Sequence, residues 1–447
     1  MRTDTKRMGT KGQRAALMGA LLVVALGGTG CGSECVDAFD CRDKGTPPEG
    51  QIWACVEEKC EQVPVSTGGD DAGTDAGTST DAGTSTDAGA DAGTGTDAGT
   101  DAGTGTDAGT DGGTGGLCDS VPRDEKLGTL QLQPGFSVAE AAPLSTEVVA
   151  VVSTPGPTYS LFALRTTATG RDFFALGTWP DVKLGEAALD TVLAPADRAV
   201  GTTTYASYFL AYDGTRLLGG YTKSGGAGTV AVLDPAARDA ATYVSAPSNY
   251  TAAATTDTFF INGAGLDTVS EGLGVYALVT SAKPFSAVKA VSFPAQVGGS
   301  GFSAIADNGI AVFGYSAPDT YVNVAYAVSA SKLTTAVSTR TPVVLTGEPQ
   351  VDVGSDFNNA TGFGGGVAVV RGAYDANFAF VVTDVSRFPL TPPLVGGQPL
   401  SVGARESVLT VADTCTSVDL VSSLGPDLLV GVTDANGRRL VRIRQGQ

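Results

Sequence analysis

A stretch of low-complexity sequence divides this chain into two parts that have to fold separately. Residues 66–116 consist only of Asp, Ala, Gly, Thr and Ser, with a recurring Asp-Ala-Gly-Thr unit and ten aspartates that have no Lys or Arg among them. A segment with no apolar side chain larger than Ala cannot bury enough surface to offset the entropy of ordering. We therefore predict a disordered acidic linker, which as a flexible coil would span roughly 40 Å.

The regular spacing of these aspartates suggests one alternative, a calcium-binding repeat. The Gly-Gly-x-Gly-x-Asp nonapeptide of calcium β-rolls and the ligand order of an EF-hand loop are both missing from residues 66–116. The composition therefore favours a simple tether.

Residues 1–30 have the organisation of an export signal. They carry five Lys or Arg residues, continue with the apolar run 15–26 and end in small residues directly before Cys31. The apolar run is too short to span a membrane comfortably. We therefore treat residues 1–30 as a signal peptide and exclude them from the folded protein.

The small residues that lead into Cys31 resemble the signal of bacterial lipoproteins. Residues 29–31 fit that pattern, whereas Gly28 stands where an aliphatic residue is usual. The resemblance implies that Cys31 becomes the lipidated first residue of the mature chain, and that Gly32-Ser33 directs the protein to the outer membrane or cell surface. Each buried CH₂ of an acyl chain would add about 0.8 kcal/mol to anchoring. The alternative is an ordinary cleaved signal that leaves Cys31 to pair elsewhere.

Residues 31–65 contain four further cysteines in the spacing C-x5-C-x13-C-x4-C. So short a segment cannot build a hydrophobic core of its own and needs covalent cross-links. In an exported chain we expect disulfides, and the three possible pairings remain open. A zinc site with four thiolate ligands is the alternative. The cysteines concerned are Cys35, Cys41, Cys55 and Cys60.

Charge and composition exclude several classes of function. The formal net charge is −19, which argues against nucleic-acid binding and against adsorption to anionic lipid. The chain contains no histidine, so Ser-His-Asp triads, Cys-His pairs and histidine metal sites are impossible. We accordingly assign no catalytic residue, no metal ligand and no cofactor.

Residues 117–447 have the pattern of an all-β domain. Short apolar runs alternate with turn residues, and no long stretch has the 3.6-residue period of a helix. A Gly-rich segment at 362–366 is interpreted as a tight hairpin. Four dipeptides predict further hairpin turns, namely Asp213-Gly214, Asn262-Gly263, Asn308-Gly309 and Asn436-Gly437.

A looser repeat underlies the β pattern. Six β-rich segments lie between Leu161 and Val441 at a mean spacing of 56 residues, because 280 residues are divided into five intervals. Four short strands in a unit of this length are typical of a β-propeller blade, and small residues suit the crowded axis. We predict a six-bladed propeller in which residues 127–132 supply the missing fourth strand of the last blade. Tandem β-sandwiches are the alternative.

Cys118 and Cys415 are the only cysteines of this domain. Cys118 precedes the predicted closing strand and Cys415 lies in the last repeat, so closure of the ring would bring them together. We predict a Cys118–Cys415 disulfide, with pairing of Cys118 to the front module as the alternative.

Two groups of side chains could form a binding site. The first is the C-terminal set Arg438, Arg439, Arg442 and Arg444, which we interpret as a solvated strand face rather than an anion site. The second is a set of aromatic residues beside the hairpins, which we interpret as packing rather than a sugar-stacking surface. These aromatic residues are Tyr212, Tyr221, Phe259, Phe260, Phe313, Tyr315 and Phe363.

The order of segments leads to one preferred functional hypothesis. A lipid anchor, a cross-linked module, a tether and a closed β domain together suggest a non-catalytic surface protein that binds an unidentified protein or polysaccharide. A glycan hydrolase or lyase is the first alternative, and it would require two carboxyl groups at a defined separation. Candidates are Glu140, Glu186, Glu271 and Glu406. A structural cell-envelope component is the second alternative, and it would present a contiguous apolar patch.

Overall fold

The chain divides into two compact units, residues 1–103 and 104–447. In the first unit, β1 (Gln51–Val56) and β2 (Lys59–Pro64) form an antiparallel hairpin that places Cys55 opposite Cys60. The predicted signal and tether lie outside the described residues. This structure, a computed structural model, describes residues 51–56, 59–64, 118, 120–168, 170–198, 205–223, 228–237, 239–246, 251–294, 299–317, 323–354, 357–374, 380–393 and 399–446.

The second unit is built from six small β-sheets, which we number as blades in chain order. Two strands precede blade one, β3 (Gln131–Leu132) and β4 (Phe136–Pro143). Blade one contains β5 (Val148–Ser153), β6 (Ser160–Thr167), β7 (Gly170–Thr178), β8 (Asp181–Val182) and β9 (Ala188–Thr191). Blade two contains β10 (Tyr205–Tyr212), β11 (Leu217–Lys223), β12 (Gly228–Leu233) and β13 (Thr242–Ser245).

Blades three and four follow the same meander. Blade three contains β14 (Thr251–Thr255), β15 (Thr258–Gly263), β16 (Gly274–Val279) and β17 (Ser286–Ser292). Blade four begins with β18 (Gly299–Ile305), β19 (Ala311–Ser316) and β20 (Asn323–Val328). An insertion follows, with α1 (Ala330–Thr339), β21 (Val343–Val344) and a 3-10 helix (Leu345–Gly347), before β22 (Gln350–Val351) completes blade four.

Blades five and six complete the unit with help from the N-terminal strands. Blade five contains β23 (Phe357–Phe363), β24 (Gly366–Tyr374), β25 (Phe380–Thr391), β26 (Ser401–Val402) and β27 (Glu406–Thr410). Blade six contains β28 (Thr416–Leu424), β29 (Asp427–Asp434) and β30 (Gly437–Gln445). Strand β3 joins the outer edge of blade five, and β4 is the fourth strand of blade six.

The six blades form a closed ring, which confirms the predicted six-bladed β-propeller. The innermost strands contact one another in the order β5, β10, β14, β18, β23 and β28, and β28 returns to β5. Six hydrophobic cores lie between neighbouring blades, including one between blades six and one. Since side chains alternate along a strand, each blade contributes to the cores on both of its sides. In β30, Val441 and Ile443 pack toward blade five, and Leu440 packs toward blade one.

The ring closes through a different strand from the one predicted. Residues 127–132 were expected to complete blade six, but β4 occupies that position against β30. Strand β3 instead pairs with β27 of blade five through Gln131 and Leu132. Leu127 and Leu130 are nevertheless buried in the core between blades five and six. The physical reason is length, because the two-residue β3 cannot match β30, whereas the eight-residue β4 can.

Recurring glycines in the second strands have a packing role. Phe209 lies opposite Gly220, and a Cβ atom at Gly220 would come within 2.0 Å of the Phe209 ring. In blade four, a Cβ atom at Gly314 would come within 2.8 Å of the Phe302 ring. In these two blades the phenylalanine ring of the inner strand lies over its own sheet, because the glycine in the second strand has no side chain at the position that the ring covers.

The helix α1 was missed because it is short and its apolar face is narrow. Ser329 caps its start by accepting a hydrogen bond from the Lys332 amide at 3.5 Å, and only Leu333 and Ala336 of the helix are buried. Arg340 ends the helix in the left-handed conformation. The insertion then adds β21 to β17 in parallel, so that blade three receives a fifth strand.

Three of the four predicted dipeptide turns are confirmed. Asp213-Gly214, Asn308-Gly309 and Asn436-Gly437 lie at strand connections, and residues 364–365 form the turn of the predicted Gly-rich hairpin. The fourth prediction is wrong, because Asn262-Gly263 ends the buried strand β15. The turn before β15 instead contains Asp257, which adopts a positive φ of 57°.

Candidate functional site

The channel at the centre of the ring is the candidate functional site. It encloses a cavity of about 470 Å³, which is within the usual range of about 300–1,000 Å³ for small-molecule sites. Each inner strand pairs on one edge only, so its other edge presents backbone N–H and C=O groups toward the axis. The channel is lined by residues 149–153, 209–212, 251–254, 302–305, 359–362 and 419–423.

Small side chains dominate the lining because six strands converge at the axis. Alanine recurs on five of the six inner strands, as predicted for a crowded axis. Nine lining residues carry polar side chains, and these are Ser153, Tyr212, Thr251, Ser303, Asn359, Thr361, Asp419, Ser422 and Ser423. The channel wall is therefore rich in hydroxyl groups and carries little charge.

Some of these hydroxyl groups connect neighbouring blades. Ser153 Oγ donates to the Ser423 carbonyl oxygen at 2.9 Å and joins blade one to blade six. Thr251 Oγ1 donates to Ser303 Oγ at 3.3 Å and joins blade three to blade four. These contacts fix parts of the channel wall without any charged group.

Asp419 is the only charged residue among the described lining residues. Its Oδ2 lies 2.8 Å from Arg438 Nε and accepts a hydrogen bond from Thr433 Oγ1 at 3.0 Å. The lining thus supplies one carboxylate, which is ion-paired, rather than the two carboxyl groups that glycoside hydrolysis by the usual mechanism requires. Of the glutamates considered from the sequence, Glu140, Glu186, Glu271 and Glu406, none lines the channel.

Two of the C-terminal arginines hold the N-terminal segment and the channel rim in place. Arg438 pairs with Asp419, and Arg439 binds Asp434 through both terminal nitrogens, at 3.0 and 2.8 Å. Arg439 Nε also donates to the Lys126 carbonyl oxygen at 2.6 Å. The hydrogen bonds from Arg439 lower the pKa of Asp434, and they outweigh the burial that raises it.

The other two arginines form an ion-pair network within blade six, which a tryptophan of blade one joins by a hydrogen bond. Arg442 Nε lies 2.6 Å from Asp427 Oδ2, and Arg444 Nη2 lies 3.5 Å from Glu140 Oε1. Trp179 Nε1 of blade one donates to Glu140 Oε2 at 3.4 Å. Burial raises the pKa of Glu140, but the Trp179 hydrogen bond and the two arginine charges outweigh it and leave the pKa below its usual value.

The prediction of a solvated arginine face is therefore wrong for three of the four residues. The side chains of Arg438, Arg439 and Arg442 are only 7%, 12% and 15% exposed, and each is paired with a carboxylate. Arg444 is more exposed, at 45%, although it also lies 3.5 Å from Glu140. Their spacing alone could not reveal the pairing, because the acidic partners come from other strands.

The aromatic residues that we interpreted as packing are buried. Tyr221, Phe259, Phe260, Phe313, Tyr315 and Phe363 are at most 6% exposed and belong to the cores between blades. Tyr212 is half-buried, lines the channel and stacks on Phe162 with ring centroids 5.9 Å apart. The packing interpretation is thus confirmed for this set, and Tyr212 alone also reaches the channel.

The cysteines lie in two places. Cys118 and Cys415, the pair proposed from the sequence, are joined by a disulfide with Cα atoms 5.5 Å apart. Cys60 is disulfide-bonded in the first unit, which argues against a zinc-bound thiolate at that position. Cys31, Cys35 and Cys41 lie outside the described residues.

Two further findings concern the described part of the chain. It contains no cluster of three or more metal-ligating side chains that could hold an ion. None of its helices combines the length and the apolar character that a membrane span needs.

The channel residues were not found from the sequence, because the ring assembles them from six distant segments. A usable signal was the composition of the first strand of each repeat, because each of these six strands contains Ala, Ser or Thr. Asn262 was also missed. Its buried Nδ2 donates to the carbonyl oxygens of Phe302 and Gly314, at 3.3 and 3.0 Å, and links blade three to blade four.

No protein-family profile and no curated protein matches this chain. Among solved structures, it is similar to the β-propeller domain of Cps50 (Swd1) from Myceliophteria thermophila, with 14% identity, coverage of 70% of this chain and 89% of that chain, and a TM-score of 0.37. It is also similar to a Trichoderma reesei carbohydrate-active enzyme of family AA12, with 10% identity, coverage of 71% and 98%, and a TM-score of 0.41.

A third similar structure is a putative gluconolactonase, with 13% identity, coverage of 71% and 96%, and a TM-score of 0.37. Similarities at this level of identity concern the fold and say nothing about activity. The chain's own sheets, its cores between blades and its closed ring of inner strands identify residues 131–445 as a six-bladed β-propeller.

Proposed function

We propose that this protein is a lipid-anchored surface protein that presents a non-catalytic β-propeller as a binding domain on a flexible tether. The observation that supports binding most directly is the central channel. Its described lining is rich in small and hydroxyl-bearing side chains, and its single carboxylate is paired with Arg438. Such a lining can form hydrogen bonds with a ligand, but it offers no pair of carboxyl groups for acid–base chemistry.

Reinforcement of the ring also supports the proposal. The Cys118–Cys415 disulfide, strand β4 and the four paired arginines all act where the two ends of the ring meet. If the domain is held away from the cell surface by its N-terminal tether, the contacts that join the two ends of the propeller ring have to be stable. The tether and anchor themselves are inferred from the composition of residues 66–116 and from the lipobox resemblance at Cys31.

The anchor is tested with Cys31→Ala. We expect this variant to leave the membrane fraction and to lose the acyl mass that wild-type protein shows by mass spectrometry. Cys35→Ala is the matched control, since it removes the neighbouring cysteine and should stay membrane-bound. Equal membrane association of Cys31→Ala and wild type would overturn the anchoring proposal.

The binding role is tested against the enzymatic alternative with the released Cys31→Ala chain. We expect it to retain polysaccharides or proteins from the cell surface without releasing new reducing ends. A steady release of reducing ends would identify a glycan hydrolase instead.

The structural-component alternative has less support. The large apolar side chains that are exposed in the described part of the propeller are dispersed over blades one, three and five. These are Val149, Leu184, Leu189, Val344 and Val381.

A further inference from the structure

We propose that the central channel binds an uncharged sugar residue, such as the end of a glycan chain. The inference rests on the proposed binding function and specifies its ligand class. It follows from three properties of the channel, namely its charge, the uneven distribution of its polar side chains and the presence of polar side chains that have no hydrogen-bond partner among the described residues.

The charge of the channel selects a neutral ligand. Asp419 is the only ionisable group with a formal charge among the described lining residues, and Arg438 compensates it. A phosphorylated or carboxylated ligand would find no free cation on this wall, and a cationic ligand would have to compete with Arg438 for Asp419. Transfer of either ion from water would therefore be poorly compensated.

The polar side chains of the channel lie mainly on one side. Of the nine polar lining side chains, six belong to blades four to six and three to blades one to three. The asymmetry is sharpest at the residue two positions before the end of each inner strand. On blades one to three these residues are Val151, Leu210 and Ala253, and on blades four to six they are Ser303, Thr361 and Ser422.

A wall that concentrates its hydroxyl and amide side chains on one side matches the edge of a pyranose ring. Such a ring presents C–H groups on its face and hydroxyl groups around its edge. The Ser, Thr and Asn side chains of blades four to six could bind this edge. The cavity of about 470 Å³ has room for a sugar residue and bound water.

Three polar side chains on blades five and six are available for this role. Asn359, Thr361 and Ser422 line the channel, and their side chains form no hydrogen bond with any other described residue. Ser422 as a residue is only 4% exposed, but its Oγ is not among the fully buried side-chain atoms without a partner, so this hydroxyl is accessible from the channel. These side chains are therefore free to form hydrogen bonds with a ligand or with water in the channel.

The test uses the full chain released by Cys31→Ala. Saturation-transfer NMR is recorded with the methyl glycosides of glucose, galactose, mannose and N-acetylglucosamine, and with glucuronate as the charged comparison. We expect at least one neutral glycoside, and not glucuronate, to receive saturation. Its dissociation constant is then measured by calorimetry.

The contribution of the channel is isolated with the double variant Thr361→Val and Ser422→Ala. Both changes remove a hydroxyl that has no hydrogen-bond partner among the described residues, so the melting temperature should stay unchanged. The dissociation constant should rise about tenfold or more, as expected for two lost hydrogen bonds. The matched control is the double variant Thr335→Val and Ser401→Ala at exposed positions outside the channel, which should bind as wild type does.

Each outcome decides the proposal. It is overturned if no neutral glycoside binds, if glucuronate alone binds, or if the Thr361→Val and Ser422→Ala variant binds as tightly as wild type. Failure of the proposed function has a different signature, because it appears as membrane association without Cys31 or as release of reducing ends.

Discussion

Cys118 is bonded to Cys415, which immediately precedes the inner strand β28 of blade six. The bond joins residues 297 positions apart and therefore encloses blades one to five in one covalent loop. Around it, Thr129 Oγ1 donates to Asp413 Oδ1 at 2.6 Å, and the Cys415 amide donates to the same oxygen at 2.8 Å. The start of the propeller is thus fixed to the blade five–blade six junction by covalent and polar contacts.

Removal of this disulfide should destabilise the propeller. In the chain-entropy treatment a long loop loses much freedom when it is closed, so Cys118→Ser with Cys415→Ser should lower the free energy of unfolding by about 2–4 kcal/mol. The chain has two tryptophans, and Trp179 lies in the core between blades six and one. Urea unfolding followed by Trp179 fluorescence in a Trp53→Phe background therefore reports on the propeller alone.

The control for the disulfide prediction is reducing agent. It should lower the midpoint of the background protein and leave the serine variant unchanged, since disulfides of the first unit do not contribute to the Trp179 signal. An unaltered midpoint in the serine variant would contradict a stabilising role for the bond.

The closing strand gives a second prediction, which compares two truncated chains. A chain starting at Gly135 keeps β4 and should fold with reduced stability, because it loses β3, Leu127, Leu130 and the disulfide. A chain starting at Leu144 also loses β4 and exposes the edge of β30. Unpaired edges favour association, so this chain should aggregate in size-exclusion chromatography with light scattering. A monomeric, folded chain from Leu144 would show that β4 is not required.

Much of the fold could be predicted from the sequence because it repeats. The spacing of apolar runs gave six blades, and Asp-Gly and Asn-Gly turns marked three hairpins correctly. The turn predicted at Asn262-Gly263 is wrong because the turn preference of a dipeptide is weaker than the gain from burying strand β15. That strand includes Phe259, Phe260 and Ile261, which are all buried.

The candidate site was less predictable than the fold. Thr361 and Ser422 are ordinary residues in their own strands, and they acquire a shared environment only when the blades close into a ring. The acidic partners of the C-terminal arginines were likewise hidden, since Arg442 and Asp427 are brought together by the pairing of β29 with β30. Local pattern identifies strands, whereas the site depends on contacts between distant strands.

Acid stability gives a third prediction, which concerns Asp434. Its side chain is fully buried beside Arg439, and the pKa of the folded carboxyl is held below the unfolded value of about 3.9. A lowered folded pKa contributes stability that is present above about pH 4 and is lost as the pH falls through the folded pKa. Asp434→Asn should therefore remove this part of the acid dependence and cost about 3 kcal/mol at neutral pH.

The comparison for Asp434 is Asp419→Asn, which breaks the more exposed pair with Arg438. That change should cost about 0–1 kcal/mol. Urea midpoints of both variants between about pH 7 and about pH 3 test the two statements. Equal costs at neutral pH would show that burial of the Asp434–Arg439 pair is unimportant.

The fourth prediction concerns the buried amide of Asn262. Its Nδ2 donates to the carbonyl oxygens of Phe302 and Gly314, so Asn262→Ala should leave both without this donor and lower the free energy of unfolding by about 2–3 kcal/mol.

Asn262→Asp should cost more at neutral pH, because a carboxylate would face two carbonyl oxygens in a buried interface. Burial would raise the folded pKa of the new carboxyl above about 3.9, so the destabilisation should diminish as the pH falls through that raised value. Gln350→Glu, an exposed amide-to-acid change in blade four, is the control and should show neither effect. If the urea midpoint of Asn262→Asp matched that of Gln350→Glu at neutral pH, the amide bridge would have no role in holding blades three and four together.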